Sequence, residues 1–135
     1  MMPTILIVDD EPHMLRVTEL SLRRGGYSLL IARNGREAIE LAERMRPALI
    51  VMDVQMPEMD GLTALKILKE SPDTNGIPVI MLTARGHAVT RATAEGTGAA
   101  EFLTKPFSPS QLLATVQQLI AAKAAPQTAA DDPGN

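Results

Sequence analysis

The chain has 135 residues, no cysteine and a formal net charge of −3, so it holds one core of ordinary size and offers no disulfide, thiolate metal site or cysteine nucleophile. The acidic balance and the scarcity of aromatics (Tyr27, Phe102 and Phe107) argue against a direct nucleic-acid surface. No uncharged apolar run reaches the roughly 18 residues of a membrane span, and Asp9-Asp10-Glu11 interrupts the N-terminus before a secretory pattern develops, so a soluble, cytoplasmic protein is expected.

The first apolar run, residues 5–8, reads as a strand ending at Asp9-Asp10. A helix follows it, with Gly25-Gly26 as its stop. Residues 29–31 form a second short run, after which Asn34 and Glu37 stand at the spacing of a capping box for a second helix. The third run, 49–52, ends at Asp53, the fourth, 79–82, at Thr83, and the fifth, 102–103, at Thr104-Lys105-Pro106. Ser108-Pro109-Ser110-Gln111 then carries an N-cap, a proline at the first helical position and a glutamine placed to bond back. Leu112, Leu113, Val116, Leu119 and Ile120 recur behind it at helical spacing. Near-continuous apolar strands separated by helix-length segments predict a parallel α/β sheet covered on both faces. After Lys123 no large apolar residue remains, so residues 124–135 are expected to be a disordered tail, too short for an effector domain.

Ligands of open parallel sheets bind beyond the carboxyl ends of the strands. Asp9, Asp10, Asp53, Thr83 and Lys105 all fall there. Two like charges about 4 Å apart repel by roughly 4 kcal/mol at an effective dielectric of 20, so three carboxylates on one rim require cations. Lys105 supplies one charge. A hard divalent ion with oxygen ligands supplies the rest, with Mg²⁺ favoured and Mn²⁺ as the alternative. Phosphoryl transfer needs positioning and charge stabilisation above all; Asp53 would be the nucleophile and needs no base, while Lys105 and the Thr83 hydroxyl would bind phosphoryl oxygens.

Each residue alone also has a plain structural reading. Asp9 and Asp10 suit a helix N-terminus, Asp53 and the Asp60-Gly61 pair suit turns, and His13 and His87 read as surface residues without metal-ligand spacing. The joint arrangement favours the chemical reading.

Four segments carry a family resemblance: Ile5-Leu6-Ile7-Val8-Asp9-Asp10-Glu11-Pro12, the run from Val51 through Asp53 and Met56-Pro57 to Asp60-Gly61-Leu62, Met81-Leu82-Thr83-Ala84, and Phe102-Leu103-Thr104-Lys105-Pro106-Phe107. In these the chain resembles the receiver domains of two-component response regulators, of the single-domain, CheY-like kind, with residues 1–123 as the receiver domain. The resemblance implies a flavodoxin-like, doubly wound, five-stranded sheet of order 2-1-3-4-5 with five helices. It implies Mg²⁺ held by Asp10, Asp53 and the Gln55 backbone carbonyl, with Asp9 acting through water. It also implies a phosphohistidine donor on a sensor histidine kinase or histidine phosphotransfer protein. Thr83 and Phe102 match the switch pair that would bias a surface made of the fourth helix, fifth strand and fifth helix toward a downstream protein target. Pro106 would follow a cis peptide.

On a helical wheel, Met14, Leu15, Val17, Leu20 and Leu22 spread over roughly 220°, wider than packing on a sheet requires. Part of this arc is read as a docking surface, with His13, Met14 and Val17 nearest the acidic rim. Two competing readings carry less. A phosphatase of the haloacid dehalogenase type needs an Asp-x-Asp pair, which neither Asp9-Asp10-Glu11 nor Asp53-Val54-Gln55 supplies. A non-phosphorylated interaction module would tolerate loss of the acidic pair or Lys105, yet all are present.

Overall fold

The computed structural model describes residues 3–84, 96–105 and 107–124. Five strands, β1 (Thr4–Val8), β2 (Ser28–Ala32), β3 (Leu49–Asp53), β4 (Val79–Ala84) and β5 (Glu101–Lys105), form one sheet in the order β2-β1-β3-β4-β5. All four pairings are parallel, as the apolar runs and the resemblance implied. Among the described residues four helices have defined bounds: α1 (Pro12–Arg23), α2 (Gly35–Met45), α3 (Gly61–Glu70) and α4 (Pro109–Ala124). The last of these is the helix expected fifth in sequence. The helix expected between β4 and β5, the tail beyond 124 and the Pro106 peptide lie outside the described residues.

Side chains alternate across the strands, so each strand feeds two apolar layers. Leu6, Val8, Ile50, Met52, Val79 and Met81 point to one side, where Ala38, Ala42, Ala64, Leu65 and Leu68 of α2 and α3 cover them. Ile5, Ile7, Leu49, Val51, Ile80, Leu82 and Leu103 point to the other, beneath Leu15 and Leu22 of α1 and Leu112 and Val116 of α4. Carrying the same alternation one step beyond each run assigns the rim residues. Asp9, Asp53 and Lys105 follow Ile7, Val51 and Leu103 on the α1/α4 side, whereas Thr83 follows Met81 on the side of α2 and α3.

The helix ends explain how the loops are aimed. Glu11 caps α1, its Oε1 accepting from the His13 amide at 2.6 Å, with Pro12 at the first position. Asn34 Oδ1 accepts from the Glu37 amide at 2.9 Å, but Glu37 Oε1 returns to the Arg33 amide at 2.7 Å, one residue before the cap. Ser108 Oγ accepts from the Gln111 amide at 3.3 Å. Asp60, which sequence pattern assigns to a turn, caps α3 by accepting from the Thr63 amide at 2.8 Å. At the amino-terminal edge of the sheet, Thr74 Oγ1 donates to the Leu68 carbonyl at 2.7 Å and Lys69 Nζ donates to the Ile77 carbonyl at 2.7 Å, closing the turn into β4.

Gly61 begins α3 directly against the end of β3. Its amide donates to the Val54 carbonyl at 2.7 Å, and a Cβ there would collide with the Asp53 carbonyl oxygen and lie 2.8 Å from Met81 Cε. Because the nearest obstacle is backbone, relief requires moving the strand end or the helix. Gly61→Ala is expected to lose about 1–3 kcal/mol of stability in urea unfolding. Gly96→Ala, where a Cβ meets nothing within 4 Å, is expected to stay at or above native stability.

Candidate active site

The rim residues arrive from four strand ends because the strands are parallel and in register. Val8 pairs with Met52, Asp53 with Leu82, Thr83 with Thr104 and Ala84 with Lys105. Asp9 extends β1 by one bond, its amide donating to the Ala32 carbonyl at 3.1 Å. Its Oδ1 then accepts from the Glu11 amide at 3.0 Å, which fixes the carboxyl and turns the chain into α1.

Asp9 is 1% exposed and Asp53 7%, while Asp10 lies exposed beside them. Each of the three offers a carboxylate oxygen, and these atoms all lie within 4.8 Å of one another. Lys105 Nζ sits between two of them, 3.4 Å from Asp9 Oδ2 and 3.2 Å from Asp53 Oδ2. The Gln55 amide donates to Asp53 Oδ1 at 3.4 Å, a long bond. One ammonium against three carboxylates leaves the pocket short of positive charge. Hard oxygen donors grouped in this way suit a divalent cation of the Mg²⁺ type, which takes few carboxylates and keeps waters.

Thr83 is buried on the other side of the sheet edge, and its Oγ1 finds no hydrogen-bond partner among the described residues. Phe102 is half-buried and packs on the same apolar layer as Met81. The two thus share a face as diagonal neighbours, Thr83 being paired with Thr104 and Phe102 with Met81. On α1, His13 is exposed, whereas Met14 and Val17 are half-buried against the layer under α1 and α4. The free apolar side chain of that helix is Leu20, 52% exposed. Sequence reasoning gave Glu11 and Gly61 no part in building the site. The first is occupied as a helix cap, and the second owes its importance to a contact with Asp53 that no local pattern reveals.

The site and sheet together define a flavodoxin-like α/β domain with an acidic pocket at its carboxyl edge. Residues 5–117 match the response regulator receiver domain, and the chain belongs to that family. It is 39% identical over 116 residues to the probable transcriptional regulator ycf27 of Porphyra purpurea, covering 86% of this chain and 46% of that protein. Among solved structures it is similar to a putative response regulator from Chloroflexus aurantiacus, with a TM-score of 0.84, 35% identity, and 90% and 99% of the two chains covered. It is also similar to the receiver domain of the sensor histidine kinase PA1611 from Pseudomonas aeruginosa, solved with a magnesium ion coordinated in its active site cleft; the TM-score is 0.82 at 31% identity, covering 90% of this chain and 99% of that one. The chain spans about half the length of the curated relatives it matches. No helix among the described residues is long and apolar enough to cross a membrane.

Burial raises the Asp9 carboxyl above its ordinary value of 3.8; the Glu11 amide and the Lys105 ammonium oppose the rise, and the Asp53 charge adds to it. The folded state therefore holds this proton more tightly than the unfolded chain does. The stability so contributed is full below the ordinary value and is lost as pH climbs through the raised one. In metal-free buffer, urea unfolding between about pH 3 and pH 7 should show the stability of Asp9→Asn gaining on the native chain as pH rises. Parallel curves would contradict this.

The unpartnered Thr83 hydroxyl gives a second test. A buried hydroxyl without a partner costs about 1–3 kcal/mol. Thr83→Val, which keeps the shape and removes the oxygen, is expected to raise stability by about 1 kcal/mol in the same urea unfolding.

Proposed function

We propose that the chain is a phosphoacceptor switch, and that Asp53 takes a phosphoryl group from a phosphohistidine on a sensor kinase or phosphotransfer protein. The observation that carries this reading is the Lys105 ammonium held between the Asp9 and Asp53 carboxylates at 3.4 and 3.2 Å. A nucleophilic carboxylate that must accept a dianionic group needs a cation already in place, because charge stabilisation is the larger part of phosphoryl-transfer catalysis.

An Asp53 carboxylate oxygen attacks phosphorus; the P–N bond to the donor imidazole breaks, its electron pair stays on the ring nitrogen, and an acyl phosphate forms. Lys105 is placed to shift from the carboxylates toward a phosphoryl oxygen, and the Gln55 amide of the loop after β3 meets Asp53 from its Oδ1 side. Reversal of the switch is hydrolysis: water attacks phosphorus, the acyl P–O bond breaks, and Asp53 and inorganic phosphate are released. A divalent cation held by Asp10, Asp53 and the Gln55 carbonyl, with Asp9 behind a water, would neutralise charge on the phosphoryl oxygens. The Thr83 hydroxyl is the remaining donor, and Phe102 on the same face would report its movement at β5, within the surface that the expected fourth helix, β5 and α4 would form.

This is a signalling role without turnover of an external substrate, and the output is a protein partner. The net charge of −3 supports a protein over a nucleic acid as that partner. The test is incubation with acetyl phosphate and Mg²⁺ followed by intact mass. The native chain is expected to gain one phosphoryl group and Asp53→Asn none. Equal adducts on both would refute the assignment, and steady release of phosphate from an ester substrate would favour a phosphatase.

A further inference from the structure

The loop between β3 and α3 holds Asp53 at one end and Gly61 at the other, and it is closed by the Gly61 amide on the Val54 carbonyl at 2.7 Å. Within it Glu58 has a φ of 69°, a value that a residue with a side chain keeps only where its surroundings hold it there. The Met59 amide donates to the Pro57 carbonyl at 2.7 Å, folding the loop tip back on itself. What the tip rests on is Gly35. A Cβ on Gly35 would stand 2.9 Å from the Met59 carbonyl oxygen, 3.0 Å from its Cγ and 3.1 Å from its Cβ. Gly35 is buried and its φ is not in the left-handed region, so space rather than backbone conformation calls for glycine here.

We propose that Gly35 and Met59 are positioning residues for the Asp53 carboxylate. Gly35, at the start of α2, is the seat for the acceptor loop, and the half-buried Met59 side chain is the part of the loop that sits in it. The inference rests on Asp53 being the phosphoacceptor. The link to chemistry is the Gln55 amide, which reaches Asp53 Oδ1 at only 3.4 Å. A bond already so long is broken by a few tenths of an ångström of loop displacement, and the backbone contact at Gly35 would enforce a displacement of that size. Neither residue touches the carboxylates, so both act through the loop.

The test follows phosphoryl adduct formation with acetyl phosphate and Mg²⁺ over time, by intact mass, at several donor concentrations. Gly35→Ala and Met59→Ala are expected to lower the limiting rate about tenfold or more, in line with the sensitivity of oriented reactions to small misplacements, while the donor concentration for half-maximal rate stays within about twofold. Met59→Leu, which keeps an apolar side chain of similar volume, should restore the native rate. Thr74→Ala serves as the stability control, since it removes the Thr74–Leu68 hydrogen bond at the opposite edge of the sheet, and it should leave the limiting rate unchanged. Should Gly35→Ala fail to fold, Met59→Ala and Met59→Leu still decide the question. Native rates in Gly35→Ala or Met59→Ala would overturn the positioning role, as would an equal loss in Thr74→Ala. Absence of an adduct on the native chain would instead remove the acceptor reading beneath it.

Discussion

Lys105 and Asp9 stand 96 residues apart in sequence and 3.4 Å apart in space, and the charge balance of the acidic rim depends on that closure. Without the ammonium, two carboxylates with almost no exposure would face each other and a third at close range. The repulsion would push protons onto them or the strand ends apart. The pairing requires every element between them: β1, β3 and β5 must lie parallel, with β3 beside β1 and β4 between β3 and β5, so that the three carboxyl ends reach one edge. The sheet order is thus tied to the charge balance of its rim, and the apolar layers on its two faces supply the energy that holds three acids in one pocket.

Much of this arrangement is legible in the sequence, and the exceptions have physical causes. The five strands appear as apolar runs, each observed one or more residues longer than its run because most of the added ends are polar: Thr4, Ser28, Asp53, Thr83, Thr104, Glu101 and Lys105 are in the ladder without belonging to an apolar run. The parallel sheet follows from doubly covered strands, but the order of strands comes from family resemblance. Local pattern does not record which strand crosses over which. The acidic residues and Lys105 were legible as rim residues. The side of the sheet each occupies was encoded in the alternation of Ile7 and Asp9, Val51 and Asp53, Leu103 and Lys105, but reading it requires knowing that the strands are in register.

Contacts made by absence are the least legible. Gly61 and Gly35 look like turn and helix-start glycines, yet their Cα atoms lie against the Asp53 backbone and against Met59. A missing Cβ leaves no chemical signature along the chain; it acquires meaning only when two distant segments are brought together. Asp60 was legible as a polar residue before a glycine, and its service as the cap of α3 depends on where that helix begins, which Gly61 decides.

The division of the rim into two sides bears on how a switch of this kind can work. A ligand shifts a conformational equilibrium only by as much as it interacts differently with the two states. On the α1/α4 side, Lys105 already offsets part of the Asp9 and Asp53 charge, so a phosphoryl group there mainly exchanges one set of charge contacts for another. On the opposite side, the Thr83 hydroxyl is buried and unpartnered, with its hydrogen-bonding capacity unspent in a poorly solvated site. A phosphoryl oxygen within its reach would gain an interaction that the resting state lacks altogether. The unpartnered Thr83 hydroxyl is therefore a source of the differential free energy that the proposed switch needs, and it lies on the same face of the sheet as the half-buried Phe102.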